Sequence, residues 1–216
     1  MTDQERQAKR HAKEMAMDML STVNLKAYHL SDIDKRLNVY AKSLVDHPDD
    51  HNADELLALP RFLRFLDTYE MRIDEVQRFV KFYEYLKFSG TNGRQRYKMT
   101  PVQVFQFANI MGFYTPDGHR LCRNVLLFVP RKYSKTTSVA SLAVYDLLYG
   151  DGNAQAYTAA NSYDQAKICF DEIRNILKGL DPRLKRFKIN REKVDWLNHP
   201  SRTSFIKCLR DRKSVV

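Results

Sequence analysis

The chain has 216 residues, 44% hydrophobic and 12% aromatic, with seven Gly and seven Pro. That supplies enough apolar surface for a packed core, gives room for a small helical domain and part of a second, and excludes a disordered or low-complexity chain. The 36 Lys and Arg against 26 Asp and Glu leave a charge of +10, which attracts polyanions such as DNA, RNA or nucleotides without choosing among them.

No window approaches the roughly 18 consecutive apolar residues of a membrane span. The opening MTDQERQAKRHAKEM is charged where a signal peptide needs an apolar stretch, so the sequence reads as intracellular and without a membrane partner. Cys122, Cys169 and Cys208 are odd in number and widely spaced, which argues for plain thiols in a reducing compartment.

Residues 1–95 read as an all-helical N-terminal region. Ile33, Leu37, Tyr40, Ala41 and Leu44 fall on one face of a helix that Ser31 or Asp32 would cap, and Ile73, Val76, Val80, Tyr83 and Leu86 repeat at the same spacing. Asp46 to Asp50 and Ser89 to Gly93 break the helices. After the basic segment Arg94 to Lys98, Thr100 and Pro101 supply an N-cap and a first-turn proline for a helix to about Met111, and Thr115-Pro116-Asp117-Gly118 is a turn. Asn124 to Pro130, NVLLFVP, is a short continuous apolar run of the kind found in a strand buried on both faces. A helix over Lys135 to Tyr149, a strand over Gln155 to Ala160 and a helix from Ser162 to about Lys178, with Ala166, Cys169, Phe170, Ile173 and Leu177 inward, follow. Strand, helix, strand, helix in this order predicts an α/β fold with a parallel sheet and right-handed crossovers, occupying residues 96–216.

The chemistry sits between the apolar run and the next helix, in Val129-Pro130-Arg131-Lys132-Tyr133-Ser134-Lys135-Thr136-Thr137. A phosphate-binding loop belongs at that junction: backbone N–H groups wrap the triphosphate, a lysine reaches its outer phosphates and a hydroxyl helps hold Mg²⁺. Lys135 and Thr136 occupy the last two places. Val129 and Ser134 stand where the strict motif has glycines, so the residues alone also allow a solvated basic turn of Arg131, Lys132 and Lys135, with Thr136 and Thr137 at a helix start.

The surrounding segments resemble the large terminase subunits, the motors that package viral DNA. Pro101-Val102-Gln103 stands at the place of that family's Pro-aromatic-Gln segment, Arg131-Lys132-Tyr133-Ser134-Lys135-Thr136 at its deviant phosphate loop, and Ala159-Ala160-Asn161-Ser162-Tyr163-Asp164-Gln165-Ala166 at its Ala-Ala-x-x-x-x-Gln-Ala segment. The likeness is best over residues 97–180. It implies the start of a P-loop NTPase sheet, ATP and Mg²⁺ as cofactors, and binding by Gln103, Arg131, Lys132, Tyr133, Ser134, Lys135, Thr136 and Thr137. In detail, Gln103 would read the adenine edge, Lys135 contact the β- and γ-phosphates, Thr136 ligate Mg²⁺, and Arg131 approach the γ-phosphate as an internal arginine finger. It further implies double-stranded DNA, a terminase small subunit, a portal protein and a homo-oligomeric ring as partners, in the host-cell cytoplasm.

Val102, Tyr133 and Ser134 depart from the family's usual Trp, Asn and Gly. Ser134 is the consequential one, because glycine there permits a backbone conformation that a side chain resists. No apolar strand ending in Asp-Glu follows; Lys193-Val194-Asp195-Trp196 lacks the run and the paired carboxylates. The sequence thus reads as a partial ATPase domain of a protein that, at full length, would be an ATPase and an endonuclease, and leaves turnover by this stretch open. The alternative is a non-enzymatic basic helical module that binds nucleic acid or a partner.

Weaker signals have ordinary readings. His119 and Cys122 have zinc-ligand spacing but no second pair, and Phe79, Phe82, Tyr83, Tyr85 and Phe88 have the spacing of a helix packed in a core. Basic clusters at Arg183 to Arg186 and Arg202 to Lys213 suit either DNA or a solvated face.

Overall fold

The structure, a computed structural model, describes residues 2–90, 93–150, 152–197 and 203–209. In chain order its elements are α1 (Asp3–Ser21), α2 (Leu30–Ile33), α3 (Lys35–Asp46), α4 (Ala53–Thr68), β1 (Glu70–Met71), α5 (Ile73–Tyr85), β2 (Phe88–Gly90), β3 (Gly93–Gln95), α6 (Pro101–Met111), β4 (Phe113–Tyr114), α7 (Lys135–Tyr149), β5 (Gln155–Thr158), α8 (Tyr163–Leu180), β6 (Phe187–Ile189), β7 (Lys193–Trp196) and β8 (Phe205–Cys208). Short 3-10 turns at Leu25–Tyr28 and Pro48–Asp50 join the first helices. The mixture of helices and strands is that of an α/β protein. The chain divides into two compact units, residues 1–80 with 99–125, and residues 81–98 with 126–216.

In the first unit the helices start where the sequence offers caps. Thr2, Asn52 and Thr100 each close a capping box, and the cap of α3 is Asp34, whose carboxylate accepts from the Arg36 amide. Asp34, two or three residues beyond the expected Ser31 or Asp32, takes this role because Leu30 to Ile33 form the separate turn α2. The core combines leucines with a cluster of rings: Phe62 lies 5.1 Å from Phe105 and 5.2 Å from Phe113, and Phe79 lies 4.7 Å from Phe107. Tilted and edge-on geometries such as these are the favourable ones for rings. The two-residue ladder of β1 with β4 and the turn at Gly118, which has a φ of 80°, complete the unit.

In the second unit α7 and α8 pack on one another and on a four-stranded sheet of order β5-β8-β7-β6. Val144, Phe170, Ile173, Leu177, Val194 and Ile206 are its buried centre, and the hairpin β2–β3 docks on α8. Only β5 and β8 run parallel; β8 with β7, and β7 with β6, are antiparallel, so the sheet is mixed where the sequence suggested a parallel one.

Asn124 to Pro130 differs from expectation. It forms no helix and enters no ladder among the described residues, and Leu126 and Phe128 are 92% and 94% exposed. Apolar sequence alone does not make a strand; a neighbour must take the ladder hydrogen bonds, and here none does. Thr91, Asn92, Asp151, the basic residues Arg202, Arg210, Arg212 and Lys213, and the final valines lie outside the described residues.

Candidate functional site: the loop before α7

The loop from Val129 to Ser134 ends abruptly in α7. Lys132 and Ser134 have positive φ, 67° and 57°, with Tyr133 between them on the ordinary side. Such alternation turns successive backbone N–H groups toward one concave side, the geometry of an anion-binding nest. Ser134 sits at φ 57°, ψ 27°, the left-handed conformation that glycine would adopt without cost. Serine pays about 1 kcal/mol for it.

Two hydrogen bonds hold the turn from Ser134 onward: Thr137 Oγ1 donates to Ser134 O at 2.8 Å, and the Ser138 amide donates to the same carbonyl at 3.0 Å. The Ser134 side chain makes no cap, so the first-turn amides of α7, at Lys135, Thr136 and Thr137, open toward the loop with the positive end of the helix dipole. Lys135 spans the loop. Its Nζ donates to Val129 O at 2.6 Å, joining the two ends of the segment over six residues.

Arg131, Lys132, Ser134 and Lys135 are exposed, while Tyr133, Thr136 and Thr137 are half-buried. Among the described residues no carboxylate forms an ion pair with Arg131, Lys132 or Lys135. The loop is therefore a patch of unneutralised positive charge on a preformed set of backbone donors, which is chemistry for a polyphosphate.

Tyr83, on α5, supports this loop from below. It is 2% exposed, its ring lies 4.8 Å from Phe88, and its hydroxyl is influenced by the side chains of Thr137 and Ser138. Burial raises the phenol's pKa above its usual value, with those two hydroxyls pulling the other way. The sequence placed Tyr83 on the buried stripe of its helix but gave no sign that its hydroxyl reaches the loop's helix.

Gln103 belongs to the first unit, the loop to the second. On α6 it is 9% exposed, and its Oε1 accepts from the Thr100 amide at 2.9 Å as half of the capping box. The carboxamide oxygen is thus engaged locally.

A magnesium ion would need oxygen ligands. Thr136 offers a hydroxyl in the first turn, and no group of three His, Cys, Asp or Glu able to hold a metal occurs among the described residues. That donor set fits Mg²⁺ brought in with phosphate oxygens, not a cage made by the protein alone. Asp195, in the acidic text nearest to an Asp-Glu strand, is paired with Lys193 on β7. His119 faces Asp117, and the Cys122 thiol donates to Asn124 O, so neither points to zinc.

A family model described as terminase large subunit, ATPase domain, matches residues 101–214, more than half of the chain. The chain belongs to that family. The match begins at the capped start of α6 and takes in the loop before α7. Membership carries a role in the viral packaging motor at a coarse level, with nucleotide use and partners among DNA and the packaging complex. No curated protein and no solved structure matches the chain. No helix among the described residues is long and apolar enough to cross a membrane.

Proposed function

We propose that residues 129–137 bind the triphosphate of ATP and that this region is the ATP-binding part of a motor that drives double-stranded viral DNA into a procapsid. The observation that carries the reading is Lys135 folded across the loop onto Val129 O, with left-handed Ser134 opening α7 beside it. A neutral, solvent-exposed carbonyl is a weak partner for an ammonium, and a phosphate oxygen would replace it with a charge-assisted bond.

In this reading Lys135 holds the β- and γ-phosphates and Arg131 approaches the γ-phosphate. The amides of Lys132, Tyr133 and Ser134 line the nest, Thr137 keeps the turn closed through Ser134 O, and Gln103 meets the adenine edge, for which its side chain would leave the cap. Thr136 would hold Mg²⁺ together with phosphate oxygens. The ion supplies charge neutralisation between the phosphates.

The motor reading extends to residues 96–216 as part of a P-loop ATPase with residues 1–95 as its helical N-terminal region, and to a small subunit, a portal protein and a ring of copies as partners. Cutting of concatenated DNA would belong to the full-length protein. Competition of ATP, ADP and AMP against a fluorescent ATP analogue tests the site. Affinity should fall with each phosphate removed, and equal affinities for all three would refute phosphate recognition by the loop. Salt-sensitive DNA binding without nucleotide affinity would favour the basic-module alternative instead.

A further inference from the structure

Two basic tracts far apart in sequence meet at the C-terminal end of α8. One surrounds the β2–β3 hairpin. Its register pairs Phe88 with Gln95 and Ser89 with Arg94, with Lys87 and Arg96 just beyond the paired residues. The other runs from Lys178 through Arg183, Lys185 and Arg186. The Arg94 guanidinium lies against Gly179, and Lys87, Arg96 and Tyr85 line a cavity of about 120 Å³ whose other wall is Ile176, Gly179 and Leu180. Arg186 donates to Leu180 O at 3.1 Å, which brings the second tract to the rim of the same cavity.

The hairpin is fixed in place. Phe88 is fully buried, the Ser89 amide donates to buried Glu172 at 3.0 Å, and Asn175 donates to Ser89 Oγ at 3.0 Å. The charges it carries are exposed, and among the described residues Lys87, Arg94, Arg96, Arg183 and Lys185 pair with no carboxylate. The one acid in the second tract, Asp181, is buried and accepts from the Arg186 amide. Complementing the helix dipole at the end of α8 calls for one or two cations, and Arg186 already meets Leu180 O. The cavity has the volume of about four waters, enough for one phosphate group.

We infer that this surface binds the phosphodiester backbone of duplex DNA. Exposed Lys87 and Arg96 in the wall of a phosphate-sized cavity, with Arg94 and Arg186 beside it, suit repeated backbone contacts, which position a duplex without reading its sequence. The Arg96 guanidinium stands 5.1 Å over the Tyr85 ring, so that aromatic face is occupied and does not serve as a stacking platform for an unpaired base. The inference stands on this surface and not on the nucleotide loop.

The test is an anisotropy titration of the full chain with a labelled mixed-sequence duplex over a series of salt concentrations. Lys87→Ser with Arg96→Ser, and separately Arg183→Ser with Lys185→Ser, should each weaken binding at least tenfold and flatten the log–log salt slope by about two. Arg61→Ser with Arg64→Ser, the same charge change on exposed positions of α4, should leave both unchanged. Melting temperature and MgATP-analogue affinity should not move in any of them, and Arg96→Lys should bind as wild type. Duplex binding within twofold of wild type in the first two pairs, an equal loss in the α4 pair, or polyglutamate competing as well as duplex at equal charge would overturn the assignment. The last result would give the surface to an acidic protein.

Discussion

Lys135 Nζ lies 2.6 Å from the carbonyl oxygen of Val129, and this bond closes the loop that precedes α7. Because it is exposed, it adds little to stability, about 1 kcal/mol at most. Lys135→Ala should therefore melt within a few degrees of wild type in a thermal denaturation followed by circular dichroism. A large loss would mean that the lysine is a structural clasp for the loop.

Ser134 holds a left-handed backbone at φ 57°. Ser134→Gly relieves a strain of about 1 kcal/mol, partly offset by the freedom glycine gains in the unfolded chain. Urea denaturation should show a variant as stable as wild type or more stable by up to about 1 kcal/mol, and nucleotide affinity should rise severalfold. Destabilisation by 1 kcal/mol or more would show that the serine side chain contributes something that its geometry conceals.

Tyr83→Phe keeps the ring against Phe88 and deletes only the hydroxyl near Thr137 and Ser138. Removing a buried hydroxyl that interacts with these side chains should cost about 1 kcal/mol in chemical denaturation. Nucleotide affinity should fall as the first turn of α7 loosens, and Ser138→Ala in the Tyr83→Phe background should recover part of the stability. Full stability in the single variant would remove Tyr83 from the loop's support.

Burial, with smaller contributions from Glu172 and Cys208, pushes the Cys169 thiol up to about 11 from its ordinary 9.0. A group whose folded pKa is raised favours folding below the unfolded value and loses that contribution as pH climbs to the folded one. Stability should thus decline between about pH 9 and 11, and the decline should shrink in Cys169→Ala, measured by urea melts at each pH. Alkylation by iodoacetamide at pH 8 should be slower at Cys169 than at Cys122. Equal rates would contradict the burial.

The helices were legible because their signals are local. The α6 cap at Thr100, the α7 limits at Lys135 and Tyr149, and the Ser162 cap of α8 need only neighbouring residues. Strands β6, β7 and β8 were not, since FKI, KVDW and FIKC are three- or four-residue alternations inside basic text, and their inward residues Phe187, Val194, Ile206 and Cys208 become a core only once paired. The NVLLFVP run misled in the opposite direction: its composition suits a buried strand, but ladder formation depends on a partner strand. At the loop, the need for an unusual backbone at Ser134 followed from the missing glycine. The Val129 carbonyl under Lys135, and the approach of Tyr83 to the first turn of α7, depend on tertiary placement that no residue pattern encodes.

The most direct measurement is titration of a fluorescent ATP analogue with Mg²⁺ into wild type and Lys135→Ala, with phosphate release followed in parallel. Recognition of the triphosphate by the loop before α7 predicts saturable binding by wild type and at least a tenfold loss in the variant. Equal binding by the two proteins, or none by either, would contradict it.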